Sequence, residues 1–317
     1  MTQKQKKKPV YRVVIVLLSI LVLLLLWLYL KEKPEKPETP QETEELETPE
    51  TIETPETIET AEDITVYSFN IQIFGESKMH KPEVVAILVD IISQADIVAV
   101  QEVRSAQQEP VDNFMRLLPE YYQYVLGPRE GRSSSKEQYW IIYDSRTIEL
   151  VDSASWDDPQ DIFERNPFGA YLKATHGNFD FILINNHIQP SGTLHEIAAL
   201  PTVADFFSSL WDEKDVLIVG DFNADGQYYD ESLLATVFSE DNYRSIITDE
   251  YDTTVAQSDN TYDRCIITVS AVEDYTGVCG VLRFDEVYDF SQYTIQPREV
   301  SDHYPIWARF FSDRDSD

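Results

Sequence analysis

An α/β architecture, sheets covered by helices, follows from three features of the chain. Short runs rich in β-branched and aromatic residues recur between residues 64 and 311, amphipathic helical stretches alternate with them, and residues able to do chemistry stand just beyond the apolar runs. The predicted strands are Ile64–Phe69, Ile97–Gln101, Tyr139–Tyr143, Tyr171–Thr175, Phe179–Asn185, Val216–Gly220 and Trp307–Phe311. Pro82–Ser93 sets Val84, Ile87, Leu88 and Ile91 at helical spacing, and Thr193–Trp211 reads as a second helix with a start signal at Ser191 or Thr193.

The first 61 residues have a different character. Lys4, Lys6, Lys7, Lys8 and Arg12 form a basic segment over residues 1–12, followed by an uncharged apolar run from Val13 to Leu30. A helix over residues 13–30 covers roughly 27 Å, close to the hydrocarbon thickness of a bilayer, so it predicts a transmembrane span. A cleaved signal peptide also begins basic and apolar, but Trp27-Leu28-Tyr29-Leu30-Lys31 offers no small-residue cleavage site. The basic end stays cytoplasmic by the positive-inside rule, which puts everything after Leu30 outside the cell. Residues 31–61 are an acidic Pro, Glu and Thr linker with "ETPETI" twice in succession, a composition that predicts a disordered, extended stalk. The remainder, 62–317, has the length and apolar content of one domain.

Charge bears on partners. The chain carries a net charge of −32, and residues 62–317 hold 17 basic against 46 acidic side chains. Such a surface repels polyanions, so a nucleic-acid substrate needs divalent cations or a local basic patch. Cys265 and Cys279 stand on the predicted outer side, where disulfides persist. A hairpin turning at Ala271–Asp274 sets them opposite each other for a disulfide; two unpaired buried thiols are the other reading.

Strand ends carry the chemistry. The first strand runs into Phe69-Asn70-Ile71-Gln72, the second into Gln101-Glu102, another into Asn185-Asn186-His187, and Val216–Gly220 into Asp221-Phe222-Asn223; Ser301-Asp302-His303 precedes the last. Oxygen ligands without cysteine suit Mg²⁺, Mn²⁺ or Ca²⁺ rather than zinc. An imidazole beside a carboxylate is set to take or give a proton.

"SFNIQIFGESKM" (Ser68–Met79), "ADIVAVQEVR" (Ala95–Arg104), "GRSSSKEQY" (Gly131–Tyr139), "GDFNA" (Gly220–Ala224), "TYDR" (Thr261–Arg264) and "SDHYP" (Ser301–Pro305) together resemble the endonuclease/exonuclease/phosphatase superfamily, and within it the deoxyribonuclease I branch. The resemblance implies a four-layer sandwich of two central sheets covered by helices over residues 62–317, with a metal-dependent phosphodiesterase site at one edge. By position it implies that Asn70 and Glu102 bind the divalent metal, Mg²⁺ or Mn²⁺, with Asp302 helping. Asp221 and Asn223 would orient water and the scissile phosphate; His187 would pair with Glu137 and His303 with Asp263. Arg104, Arg132 and Arg165 match positions that touch DNA.

Asp252 and Thr254 resemble a structural Ca²⁺ loop, although Ala256 stands where another oxygen ligand is expected; Asp158 and Asp161 suit a second calcium. Ser135 replaces a tyrosine of the DNA-contacting loop, and the loop Trp156–Arg165 lacks the relatives' small cysteine pair. The implied function is a membrane-anchored, extracellular, metal-dependent endonuclease acting on DNA. The alternative is a phosphodiesterase or phosphatase of the same fold acting on a lipid head group or a small phosphate ester.

Overall fold

In the computed structural model the described residues are 63–132 and 135–316. The predicted membrane span and stalk lie outside them; among the described residues no helix is long and apolar enough to cross a membrane. The first sheet has the order β11-β12-β1-β2-β4-β3, built from β1 (Ile64–Phe74), β2 (Ile97–Val103), β3 (Tyr122–Leu126), β4 (Gln138–Asp144), β11 (Tyr275–Val281) and β12 (Ile306–Phe310). The second has the order β5-β6-β7-β8-β10-β9, built from β5 (Ile148–Ser155), β6 (Phe168–Ala174), β7 (Asp180–His187), β8 (Val216–Asp221), β9 (Tyr243–Ser245) and β10 (Asp263–Thr268).

Both sheets are mixed: β1 and β2 run parallel, as do β7 and β8, while the other described strand pairs are antiparallel. Their inner faces pack together. Ile64 and Val66 of β1, Ile97 and Ala99 of β2, and Leu217 and Val219 of β8 share one apolar layer between the sheets. The alternate residues point outward. Tyr67, Phe69, Val98 and Val100 meet α2 (Pro82–Ile92) and α3 (Glu109–Met115) across a second layer, α1 being the single turn Glu76–Met79. Val216 and Ile218 meet α4 (Thr193–Trp211) across a third. Helices, sheet, sheet and helices thus stack in the expected order, and burial on both faces explains why the central strands read as largely apolar runs.

Two expectations change. β10 and β11 belong to different sheets, so Ala271–Asp274 is a crossing between sheets and not a hairpin turn. Cys265 and Cys279 are both free; they pack into the apolar layer between the sheets, Cys265 at its core and Cys279 at its margin. The chain also forms β3, β5, β9, β10 and β11, which the apolar pattern does not announce.

Gly220, one residue before the end of β8, has φ 141°, and a Cβ there would lie 1.9 Å from the Asn186 carbonyl oxygen of the neighbouring β7. No rotamer relieves a clash between backbone atoms. Gly220→Ala should cost about 3 kcal/mol of stability, read as a lowered thermal midpoint of the purified protein; a midpoint equal to wild type would contradict this close approach.

Candidate active site

Because the central pair of each sheet is parallel, its carboxyl ends reach one edge together. β1 delivers Asn70 and β2 delivers Glu102, while His187 and Asp221 are register partners at the ends of β7 and β8. β10 starts with Asp263 opposite Asp221. His303 precedes β12 and is bridged to Thr254. Below this edge the sheets are tied by buried amides: Gln101 Nε2 donates to Asn185 Oδ1 at 2.7 Å, and Asn185 Nδ2 to the Val100 carbonyl at 3.1 Å.

The backbone leaves regular strand geometry where it presents these groups. Gln72, Ile73, Glu102 and Asn223 all have positive φ, between 46° and 64°. The β1–β2 register also shifts between Asn70 and Phe74. A bulge of this kind re-aims side chains at a strand end, and a β-branched residue such as Ile73 adopts the left-handed region only when its surroundings require it. Here the requirement is visible: Gln72 N–H donates to Asn70 Oδ1 at 3.0 Å and Ile73 N–H to Glu102 Oε2 at 2.9 Å.

At the centre stands one carboxylate oxygen. Asp221 Oδ2 accepts from Asn70 Nδ2 at 3.0 Å, and the Nε2 atoms of His187 and His303 lie 3.4 and 3.5 Å from it. Each imidazole is backed by its own carboxylate, His187 Nδ1 to Glu137 Oε2 at 2.8 Å and His303 Nδ1 to Asp263 Oδ2 at 2.7 Å. All six residues are at most 9% exposed, so each carboxylate orients its ring in a dry setting. Asn223 joins them through its own N–H, which donates to Asp221 Oδ1 at 2.9 Å, and its Nδ2, which donates to the Ile188 carbonyl.

Burial alone would raise the Glu137 pKa; the hydrogen bond and charge of His187, with the guanidiniums of Arg165 and Arg104, instead hold it at about 2. Burial alone would lower that of His303; the charges of Asp263 and Asp221 and the bond to Asp263 lift it to about 10. Arg104 bridges Glu102 and Glu137, 3.0 Å from each. Arg165 is buried, its Nε donating to the His187 carbonyl at 3.1 Å and its NH1 lying 3.6 Å from Glu137, so its guanidinium faces the site's interior wall. Arg132 is half exposed on the loop beyond, pairing with Asp161 at 2.9 Å.

Three groups that sequence reasoning did not single out complete the frame. Tyr139 accepts from the His187 N–H at 2.9 Å through its hydroxyl. Ser301 donates to the Asn70 carbonyl at 2.6 Å and accepts from the His303 N–H at 3.1 Å, binding the first strand to the last histidine. Lys78 is buried, donating to the carbonyls of Ile71 and Val300, the latter at 2.7 Å; burial pulls its pKa down to about 8 against the charges of Asp302 and Glu102. All three lie inside the stretches that carry the family resemblance, and their signal was position rather than residue type.

Of the candidate ligands for a hard cation, Asp302 fits best, its Oδ1 buried without a hydrogen-bond partner, whereas Glu102 is engaged by the Arg104 guanidinium, the Ile73 N–H and the Asn70 amide and would exchange one of these for the ion. Asn70 presents its amide nitrogen to Glu102 and Asp221, so its oxygen would reach a cation there only after the amide turns over. Asp221, Asp263 and His303 also bring ligand atoms within 4.8 Å of one another. That set is less suited to a metal, because the His303–Asp263 ion pair already occupies it and a ligating imidazole must be neutral. Of the calcium candidates, Asp252 is taken by the Arg283 guanidinium and accepts from the Thr254 N–H, which does not fit a cation. Asp158 leaves a buried Oδ1 without a hydrogen-bond partner and does fit one, whereas Asp161 is exposed and paired with Arg132.

Two imidazole–carboxylate couples around a third carboxylate, with hard oxygen ligands beside them, make the apparatus of a hydrolase assisted by a divalent metal. The chain belongs to the Endonuclease/Exonuclease/phosphatase family, whose sequence pattern it matches over residues 67–303. It is 31% identical to Deoxyribonuclease-1 of Homo sapiens over 261 residues, 77% of this chain and 90% of that protein, and 32% identical to Deoxyribonuclease-1 of Gallus gallus over 260 residues. Its fold is similar to that of an endonuclease/exonuclease/phosphatase from Bacteroides vulgatus, with a TM-score of 0.56 at 17% identity over 78% of this chain and 98% of the other. The chain is a metal-dependent phosphodiester hydrolase.

The two couples make opposite contributions to stability as pH changes. Glu137 is depressed from 4.5 to about 2, so its contribution is complete above about 4.5 and lost as pH falls through about 2. His303 is raised from 6.5 to about 10, so its contribution is complete below about 6.5 and lost as pH rises through about 10. In denaturant titrations Glu137→Gln should lose about 3 kcal/mol at neutral pH and lack this part of the acid decline, while His303→Gln should flatten the alkaline decline. Parallel pH profiles for wild type and both variants would refute the assignment.

Proposed function

We propose that this protein is an endonuclease that hydrolyses DNA, tethered by residues 13–30 to the outer face of a membrane, with 31–61 as a stalk and 62–317 as the catalytic domain. The observation that carries the reading is the convergence of His187 Nε2 and His303 Nε2 on one oxygen of Asp221. Its support from relatives is the identity to Deoxyribonuclease-1 over most of the chain.

In this reading Glu102 and Asp302, with Asn70 after its amide turns, would hold Mg²⁺ or Mn²⁺. When bound, such an ion offsets charge building on the phosphoryl oxygens. The protein's own groups do the remainder. Asp221 and Asn223 orient the attacking water against the phosphorus. One imidazole accepts that water's proton at Nε2 and the other delivers a proton from Nε2 to the departing oxygen, each fixed in the useful tautomer by the carboxylate on its Nδ1. Arg104, 29% exposed and anchored on both Glu102 and Glu137, is placed to meet a phosphate without losing its orientation.

The purified protein should nick plasmid DNA with Mg²⁺, stop with a chelator and recover when the metal is restored. His187→Asn should lower turnover about 10² to 10⁴-fold, the usual worth of general acid–base help, with DNA binding little changed. Release of phosphate or phosphorylcholine from a lipid ester with plasmid left intact would replace DNA with the lipid substrate.

A further inference from the structure

Beside the catalytic edge is a cavity of about 230 Å³ whose wall includes Gln72, Ile73, Lys78, Lys81, Arg298 and Glu299. Its position is fixed by the site itself. The N–H groups of Gln72 and Ile73 hold Asn70 and Glu102, and Lys78 binds the carbonyl of Val300, two residues before Asp302. The cavity thus opens where the β1 bulge meets the segment leading to His303.

Its charge runs against that of the protein. Three of those six residues are cationic and one is anionic, in a chain whose net charge is −32. Several cations elsewhere on the described domain are paired with carboxylates: Arg146 with Asp144, Arg264 with Asp249, Arg283 with Asp252 and Glu286, Arg132 with Asp161. Lys81 is 45% exposed and is paired at 3.0 Å with Glu299, itself 38% exposed. Glu299 is committed a second time, accepting at 3.0 Å from the Gln296 N–H in the capping box of the turn Pro297–Val300. Arg298 is exposed and makes no ion pair among the described residues.

We propose that Lys81 and Arg298 form an outer phosphate subsite, which takes a backbone phosphate of a DNA strand next to the one being cleaved. The inference rests on the DNA-hydrolase reading and adds a subsite to it. A shared, solvent-exposed Lys81–Glu299 pair holds its cation loosely, so a phosphate can recruit Lys81 while Glu299 keeps its cap. Arg298 offers a planar fork suited to phosphate oxygens. A polyanion approaching an acidic surface then finds a local positive opening at the catalytic edge, where counterion release favours its binding.

The test is the binding of a short fluorescent DNA duplex by the whole protein in chelator, over a range of salt, beside plasmid cleavage with Mg²⁺. Lys81→Gln/Arg298→Gln should bind about tenfold more weakly, with a salt slope shallower by roughly 1 for each cation lost, and an unchanged melting temperature. Lys81→Arg/Arg298→Lys should restore wild-type binding. Glu299→Gln, which keeps a capping acceptor and frees Lys81, should bind more tightly. Equal affinity and salt slope in wild type and the Gln variant, with plasmid still cut, would sink the subsite and leave the hydrolase standing. Duplex binding that depends on these cations without cleavage would keep the subsite and sink the DNA hydrolase. Cation-dependent binding of anionic lipid vesicles with no duplex binding would overturn the assignment to DNA.

Discussion

The structure of this site depends on a single oxygen atom. Asp221 Oδ2 receives Asn70 from the first sheet, His187 from its own strand neighbour and His303 from the segment before the last strand. These residues are far apart in the chain, and their meeting requires the two sheets to stack at one fixed offset. The apolar layer between the sheets supplies the attraction but little direction, since it would tolerate a small slide. The amide ties between Gln101, Asn185 and the Val100 carbonyl supply the direction, because a slide would leave them buried and unpaired. A polar seam inside an apolar sandwich thus locks the catalytic edge.

That edge also concentrates negative charge. Glu102, Glu137, Asp221, Asp263 and Asp302 all lie close to it, and their mutual repulsion opposes folding. The protein answers with cations placed inside the wall: Arg104 between Glu102 and Glu137, Arg165 behind Glu137, and Lys78 beneath Glu102 and Asp302. The imidazolium of His303 serves the same end for Asp263 and Asp221. Residues that resemble substrate contacts when only the sequence is considered, Arg165 above all, thereby have an electrostatic task within the folded protein. A bound divalent ion would complete the same balance at Glu102 and Asp302.

How much of this the sequence makes legible depends on burial. Central strands such as β1, β2, β7 and β8 are covered on both faces, so each holds a mostly apolar stretch before its polar carboxyl end and is easily read. β3, β5, β9 and β11 are the four sheet edges, and the alternation they show is diluted by exposed positions such as Glu149 and Val278. The same limit governs the cysteines: residues 271–274 look like a hairpin turn locally, and only the sheet order reveals that the chain crosses between layers there. The histidine and carboxylate set was visible because each member sits beside a strand end. Lys78 and Ser301 were not, because their work is done through backbone carbonyl groups, which no residue pattern announces.

The four left-handed residues at the catalytic edge show where stability is given up for geometry. Gln72 and Ile73 follow Asn70 by two and three residues, Glu102 is itself a ligand candidate, and Asn223 follows Asp221 by two. Only asparagine among these tolerates the conformation well; for the others each such turn costs about 1–2 kcal/mol. A relaxed strand would continue the alternation and turn the Glu102 carboxylate away from Asn70. The Ile73 and Gln72 amide bonds recover part of that cost, and they do so by binding the side chains that the bulge exists to aim. The strain and the ligand geometry are therefore one feature, so relieving the bulge would also disperse the groups that meet at Asp221.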